Sequence, residues 1–178
     1  VPGPQLLPLL FHRRWAVPVL AELHRDSGAK LVTLVNRLET QHGSLRPALE
    51  HLIDLGWVRR NPGTGHPLRP EFILHGDGHR LGESCARLDS ALREPHLRVV
   101  ALKKWTLPVL HAIGEGPTRF AQIPRRLARL SDRALALALR DLRGATLVAR
   151  EVLDGSPPAT RYGATAQGLE LMPLLEEF

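Results

Sequence analysis

Arginine dominates the side chains here that can do chemistry, and its placement suits the binding of an anion better than catalysis. Of the 24 basic residues only Lys30, Lys103 and Lys104 are lysines. A guanidinium donates paired hydrogen bonds to phosphate oxygens or to base edges. Two segments hold such donors beside a leucine stripe at helical spacing. In the first, Leu45, Leu49 and Leu52 form the stripe, while Gln41, His42, Ser44, Arg46 and Glu50 lie off it. In the second the stripe is Leu135, Leu139 and Leu142, and the remaining face is Ser131, Asp132, Arg133, Ala134, Ala136, Leu137 and Arg140. Arg59, Arg60 and His66 follow the first segment and Arg150 and Arg161 the second, while Arg119, Arg125 and Arg126 precede the second. The first segment has the more varied donors, so the sequence ranks Arg46 above Arg133 as a reader of bases. A net charge of +6 and a pI near 10.6 agree with a polyanionic partner. Aromatic residues make up 4% of the chain, few to spare for the stacking platforms of single-strand binders, which counts against single-stranded nucleic acid as that partner.

Other chemistries find little to use. There is no nucleophile elbow, phosphate-binding glycine loop, paired-carboxylate segment or HExxH helix, so no enzyme is expected. No cofactor or metal is expected either. His75-Gly76-Asp77-Gly78-His79 has two histidines and an aspartate but no second ligand cluster, and reads as a turn entering a helix. Cys85 is the one cysteine; it excludes a disulfide framework, points to a reducing cytoplasmic setting and reads as a small core residue. Trp15 and Trp105 read as core residues of two helices, with a ligand pocket for a small hydrophobic effector as the alternative. No apolar run reaches the ~20 residues of a membrane span, and the first residues lack the order of a signal peptide.

The elements that position these groups occur twice. A shift of 90 positions lays Arg13-Arg14-Trp15 and Pro18-Val19-Leu20 on Lys103-Lys104-Trp105 and Pro108-Val109-Leu110. The same shift superposes the two leucine stripes, and pairs Pro67 with Pro157, Phe72 with Tyr162 and Gly78 with Gly168. In the later copy Trp105, Val109, Leu110 and Ile113 predict a first helix stopped at Gly114-Glu115-Gly116. Thr118 is expected to cap a second helix through Phe120, Ile123 and Leu127, and Ser131 or Asp132 a third. Two strands around Asp154 to Pro158 then predict a hairpin, and Gly168 onward a terminal helix. In the earlier copy the strands are placed at Trp57 to Arg60 and Pro70 to Leu74, the wing tip at Asn61 to Pro67, and the last helix at about Gly78 to Leu92.

The later copy resembles the HxlR-type winged-helix regulators of the MarR-like group. The likeness rests on Lys104-Trp105 to Val109-Leu110, Gly116-Pro117-Thr118-Arg119-Phe120, Ser131 to Leu142 with Arg140, Pro157-Pro158, and Tyr162-Gly163-Ala164-Thr165-Ala166-Gln167-Gly168. It covers roughly residues 100 to 175; the earlier copy keeps Arg14-Trp15, its leucine stripe, Phe72 and Gly78, but lacks the Arg-Phe and Pro-Pro pairs. The resemblance implies a DNA-binding transcriptional regulator, in a family whose members are usually single-unit homodimers.

The expected fold is therefore mainly α with small β-hairpin wings, in two tandem winged helix-turn-helix domains at 1–94 and 95–178. The expected function is transcriptional regulation by a monomeric pseudo-dimer or a homodimer. The alternative is a small-molecule-binding or drug-sequestering protein on a scaffold that has lost operator recognition.

Overall fold

The leucine stripes become the buried faces of two thirteen-residue helices in the computed structural model, which describes residues 6–61, 71–114, 116–154 and 159–178. Around each helix gathers one of two compact units. One is Arg13–Ala91; the other joins Leu92–Phe178 to Val1–His12, of which residues 6–12 are described. These limits differ from the expected 1–94 and 95–178. The reason is α1, Leu6–Leu10: Leu6, Leu7, Leu10 and the following Phe11 are at most 5% exposed, and α1 contacts a helix of the later unit.

In the unit Arg13–Ala91, α2 (Ala16–Arg25) buries Ala16, Val17, Val19, Leu20, Ala21 and Leu23 and lies along α5 (Gly78–Ala91). Gly82 permits that close approach, since a Cβ there would stand 2.8 Å from Leu74 Cδ1 and 3.3 Å from the Leu20 carbonyl oxygen. Between them come α3 (Leu31–Arg37), α4 (His42–Asp54) and the antiparallel strands β1 (Val58–Arg60) and β2 (Phe72–Leu74). Ala29 bridges to Phe72 through two backbone hydrogen bonds of 3.0 Å. Arg25 pairs with Glu22 and Asp89, Arg37 with Glu22 and Asp26, and Arg87 with Glu83, so these arginines are held by the unit's own carboxylates.

The other unit contains α6 (Pro95–Ala101) and α7 (Thr106–Gly114), followed by β3 (Thr118–Arg119) and a 3-10 helix (Phe120–Arg126). After these come α8 (Asp132–Gly144), β4 (Val148–Leu153), β5 (Ala159–Ala164), α9 (Ala166–Glu170) and α10 (Met172–Glu176). It is α7 that α1 touches. The sheet runs β3-β5-β4, all antiparallel. Thr118 does not cap a helix: it sits in β3, and its hydroxyl donates to the Gly116 carbonyl at 2.8 Å. Arg119 takes the cap position of the 3-10 helix instead, its backbone N–H donating to Gln122 Oε1. Pro124 lacks an N–H and so leaves one carbonyl of that segment without its backbone partner. The terminal helix is broken into α9 and α10, with Pro173 in the first turn of the second piece.

Hairpin register keeps the shift of 90, since Val58 faces Leu74 and Val148 faces Ala164. It falls to 89 at the third strand, where Ala29 faces Phe72 and Thr118 faces Tyr162. The shift returns to 90 because the link before α8, Leu127 to Ser131, is one residue longer than the link before α4, Leu38 to Gln41.

Candidate nucleic-acid interface

Which side chains face outward follows from where each helix buries its stripe. At about 100° per residue, the face opposite a buried set i, i+3, i+4, i+7 is filled by i−2, i+2, i+5 and i+9. For α8, with Leu135, Ala138, Leu139 and Leu142 buried, the opposite face is Arg133, Leu137, Arg140 and Gly144. The Arg140 side chain is 74% exposed and Leu137 is 43% exposed. For α4, with Leu45, Ala48, Leu49 and Leu52 buried, the opposite face is Gly43, Pro47, Glu50 and Asp54. The two helices thus present outward stripes of opposite sign.

Pro47 adds a second difference. It has no N–H to return to the carbonyl of Gly43, so the exposed face of α4 carries a break in its hydrogen-bond ladder. Gln41, His42 and Ser44 are exposed at the helix start, and the Gln41 side chain at the cap position makes no capping hydrogen bond. Arg46 lies to the flank. It lines a groove of about 270 Å³ with Leu31, Glu50, Ile53, Arg60, Glu71 and Phe72, where two arginines are matched by two glutamates. Arg60 also stacks over the Phe72 ring, its Cζ 5.7 Å from the centroid. Arg59 is exposed on the other face of β1, and His66 lies outside the described residues.

In α8 the Ser131 hydroxyl accepts from the Ala134 N–H at 3.3 Å, capping the helix, and Asp132 complements the exposed N–H dipoles of the first turn. Asp141 is taken up mainly by Lys103, 2.7 Å away, with Arg140 at the 4.0 Å limit of an ion pair on its other oxygen. Replacing Ser131 by alanine should cost about 1 kcal/mol of stability, read as a lower urea midpoint with unchanged slope.

Arg150 and Arg161 do not share a face of the sheet. Arg150 faces Tyr162 across the β4–β5 ladder, whereas Arg161 lies between Glu151 on one side and Arg119 on the other. Arg119, Glu151 and Arg161 therefore make one cross-strand row and Arg150 points the other way. Arg125 is exposed on the 3-10 helix, while Arg126 donates to the Ala112 carbonyl at 2.8 Å and ties that helix to α7. Pro157 and Pro158 lie outside the described residues.

Neither Trp15 nor Trp105 is a full core residue; both are half-buried, with Arg14 and Lys104 stacked over their rings at 5.4 and 5.2 Å. The tryptophan buried in the core is Trp57, 4% exposed. Trp105 also lines a cleft of about 430 Å³ with Pro8, Leu9, His12, Lys104, Ala128 and Arg129. Cys85 is fully buried, and loss of hydration, reinforced by the charge of Asp89, pushes its thiol well above the ordinary pKa. His75 lies in the turn before α5, its Nδ1 3.1 Å from the Gly56 carbonyl. Among the described residues no group of three or more His, Cys, Asp or Glu stands together, and no helix is long and apolar enough to cross a membrane.

Comparison with known proteins settles the family. The chain is 31% identical over 93 residues to the HTH-type transcriptional regulator YodB of Bacillus subtilis, covering 52% of this chain and 78% of YodB. The model of the HxlR-like helix-turn-helix family matches residues 100–178. The chain belongs to the HxlR-like helix-turn-helix family. An HTH-type transcriptional regulator of Methanothermobacter thermautotrophicus is 36% identical over 73 residues, covering 41% of this chain and 56% of that relative's length. The chain thus spans less than two thirds of that relative. The solved structure of reduced YodB aligns with 44% of this chain and 78% of its own, at 29% identity and a TM-score of 0.41. The HxlR-like match falls on the unit that carries α8 with its outward arginines, and α4 lies outside it.

Proposed function

We propose that this HxlR-like protein is a DNA-binding transcriptional regulator of two tandem winged helix-turn-helix units, in which α8 is the principal reading helix. The observation that carries the reading is the outward stripe of α8, where Arg133 and Arg140 flank Leu137 on the helix that follows the Ser131 cap. A helix of this size fits the major groove, and exposed arginines on it reach bases and phosphates. The tandem arrangement is supported by the parallel order of α2, α3, α4, β1, β2, α5 and α7, 3-10 helix, α8, β4, β5, α9. It is supported further by glycines placed alike: a Cβ on Gly78 would stand 1.9 Å from the Trp57 carbonyl oxygen, and one on Gly168 2.2 Å from that of Leu147. The units are unequal as readers, because the outward face of α4 offers Glu50 and Asp54 to a polyanion. On this reading a two-fold operator takes two chains, one α8 from each.

Mobility shifts with promoter DNA at ~100 mM salt test the proposal. Binding whose affinity falls steeply with salt is expected; absence of both specific and salt-dependent nonspecific binding would reject it.

An effector-responsive form of the same function is favoured by the cleft at Trp105. Its apolar lining of Pro8, Leu9, Trp105 and Ala128 together with Lys104 and Arg129 suits a small amphipathic molecule. Saturable quenching of tryptophan fluorescence, lost in Trp105→Leu but kept in Trp57→Phe, is the expected result; quenching that survives Trp105→Leu would sink this part.

A further inference from the structure

Leu137 stands on the face of α8 that the core does not use. It is 43% exposed, with Arg133 four residues before it and Arg140 three after, on the stripe opposite Leu135, Ala138, Leu139 and Leu142. Val32, Val99, Val152 and Leu169 are also large exposed apolar residues, but none of them lies between two exposed arginines on one helical stripe. Beside Leu137 stand Ala136, exposed, and Ala134, half-buried. Between Asp132 and Arg140 the outward and flanking positions hold no Asn, Gln, Ser, Thr or His, so the side-chain donors to base edges in that stretch are Arg133 and Arg140. A leucine held in water by two cations gains nothing from phosphates. In the major groove one base offers it an apolar partner, because thymine alone carries a 5-methyl group there.

We propose that α8 reads thymine 5-methyl groups through Leu137, with Arg133 and Arg140 fixing the helix on the neighbouring phosphates or guanines. The inference rests on the DNA-binding reading given above and adds the base class that the helix prefers. Discrimination comes from apolar burial, so each methyl contacted is worth about fourfold in affinity, the equivalent of ~0.8 kcal/mol. Arginines at both ends of the stripe keep the leucine over the base edges, because each has phosphates to either side of the groove within reach.

Deoxyuridine lacks only that methyl, which makes it the probe. The full chain is used to select from random-sequence duplexes of about three helical turns made with thymidine, and the recovered duplex is resynthesised with deoxyuridine at each thymidine in turn. The expected result is a loss of about fourfold at each of one or two thymidines in the stretch covered by α8. Leu137→Ala should abolish the difference between thymidine and deoxyuridine duplexes while keeping salt-dependent affinity for both. That variant removes an exposed side chain and inserts a stronger helix former, and its melting curve checks that it folds. Equal affinity for thymidine and deoxyuridine duplexes, or a thymidine preference that survives Leu137→Ala, would overturn the inference and leave DNA binding intact. No affinity for either kind of duplex at low salt would remove the DNA-binding reading itself, and this inference with it.

Discussion

Replacing Arg133 and Arg140 together by alanine should weaken binding of the full chain to double-stranded DNA by at least about 30-fold at ~100 mM salt, taking about 1 kcal/mol or more for each side chain. Both side chains are exposed on the stripe opposite the buried leucines of α8, so their loss leaves no cavity and no unpaired buried group. The slope of log affinity against log salt should fall by up to ~2, close to one for each phosphate contact removed. Arg46→Ala is the informative contrast. The sequence ranks Arg46 above Arg133, but Arg46 lines the charge-balanced groove between α4 and its hairpin, beside Glu50 and Glu71. Its removal should change affinity by about 0.5 kcal/mol or less, as for an ordinary surface position. A larger loss from Arg46→Ala than from the double substitution would restore the order read from the sequence.

The second large effect concerns stability, and it falls at the same place in both units. Gly78 begins α5 beneath the end of β1, and a Cβ there would sit 1.9 Å from the Trp57 carbonyl oxygen and 2.7 Å from its carbonyl carbon. That oxygen already accepts from the His75 N–H at 2.9 Å, so it cannot withdraw without breaking the turn into α5. Gly168 stands in the same relation to Leu147, whose carbonyl accepts from the Thr165 N–H at 3.0 Å. The clash is with backbone, which no rotamer change relieves. Gly78→Ala and Gly168→Ala should each cost ~3 kcal/mol or more, lowering the melting temperature of the affected unit by about 12 °C or more. Gly43→Ala is the control: nothing lies within 4 Å of a Cβ there, and replacing a glycine in the first turn of α4 should leave stability unchanged or raise it by about 0.5 kcal/mol. Thermal unfolding followed by circular dichroism reads all three, and melting of Gly78→Ala at the unsubstituted temperature would disprove the close-approach argument.

Much of this was legible in the sequence because it rests on local spacing. Leu135, Leu139 and Leu142 at intervals of four and three mark the buried face of α8 and Gly78 and Gly168 stand where expected, while of the two cap candidates, Ser131 and Asp132, the structure uses Ser131. The family resemblance placed at roughly 100 to 175 agrees with the match at residues 100–178. Other features depend on which partner wins a competition that spacing does not show. Thr118 has the side chain of a helix cap, yet pairing with Tyr162 makes it a strand residue. Leu6, Leu7 and Leu10 precede the first repeat in sequence but are buried with the later unit, where α7 receives them. The sign of the α4 face was present in the sequence as Glu50 and Asp54, four residues apart. Position off the stripe does not by itself show that sign, because Arg46 lies on the flank while Glu50 and Asp54 lie opposite the core.

Amide hydrogen exchange with and without bound DNA tests the unequal roles of the two helices most directly. On adding promoter duplex, the amides of α8 and of β4 and β5 should exchange more slowly, while those of α4 keep their rates. Equal protection of both helices, or protection confined to α4, would contradict the assignment of α8 as the reading helix.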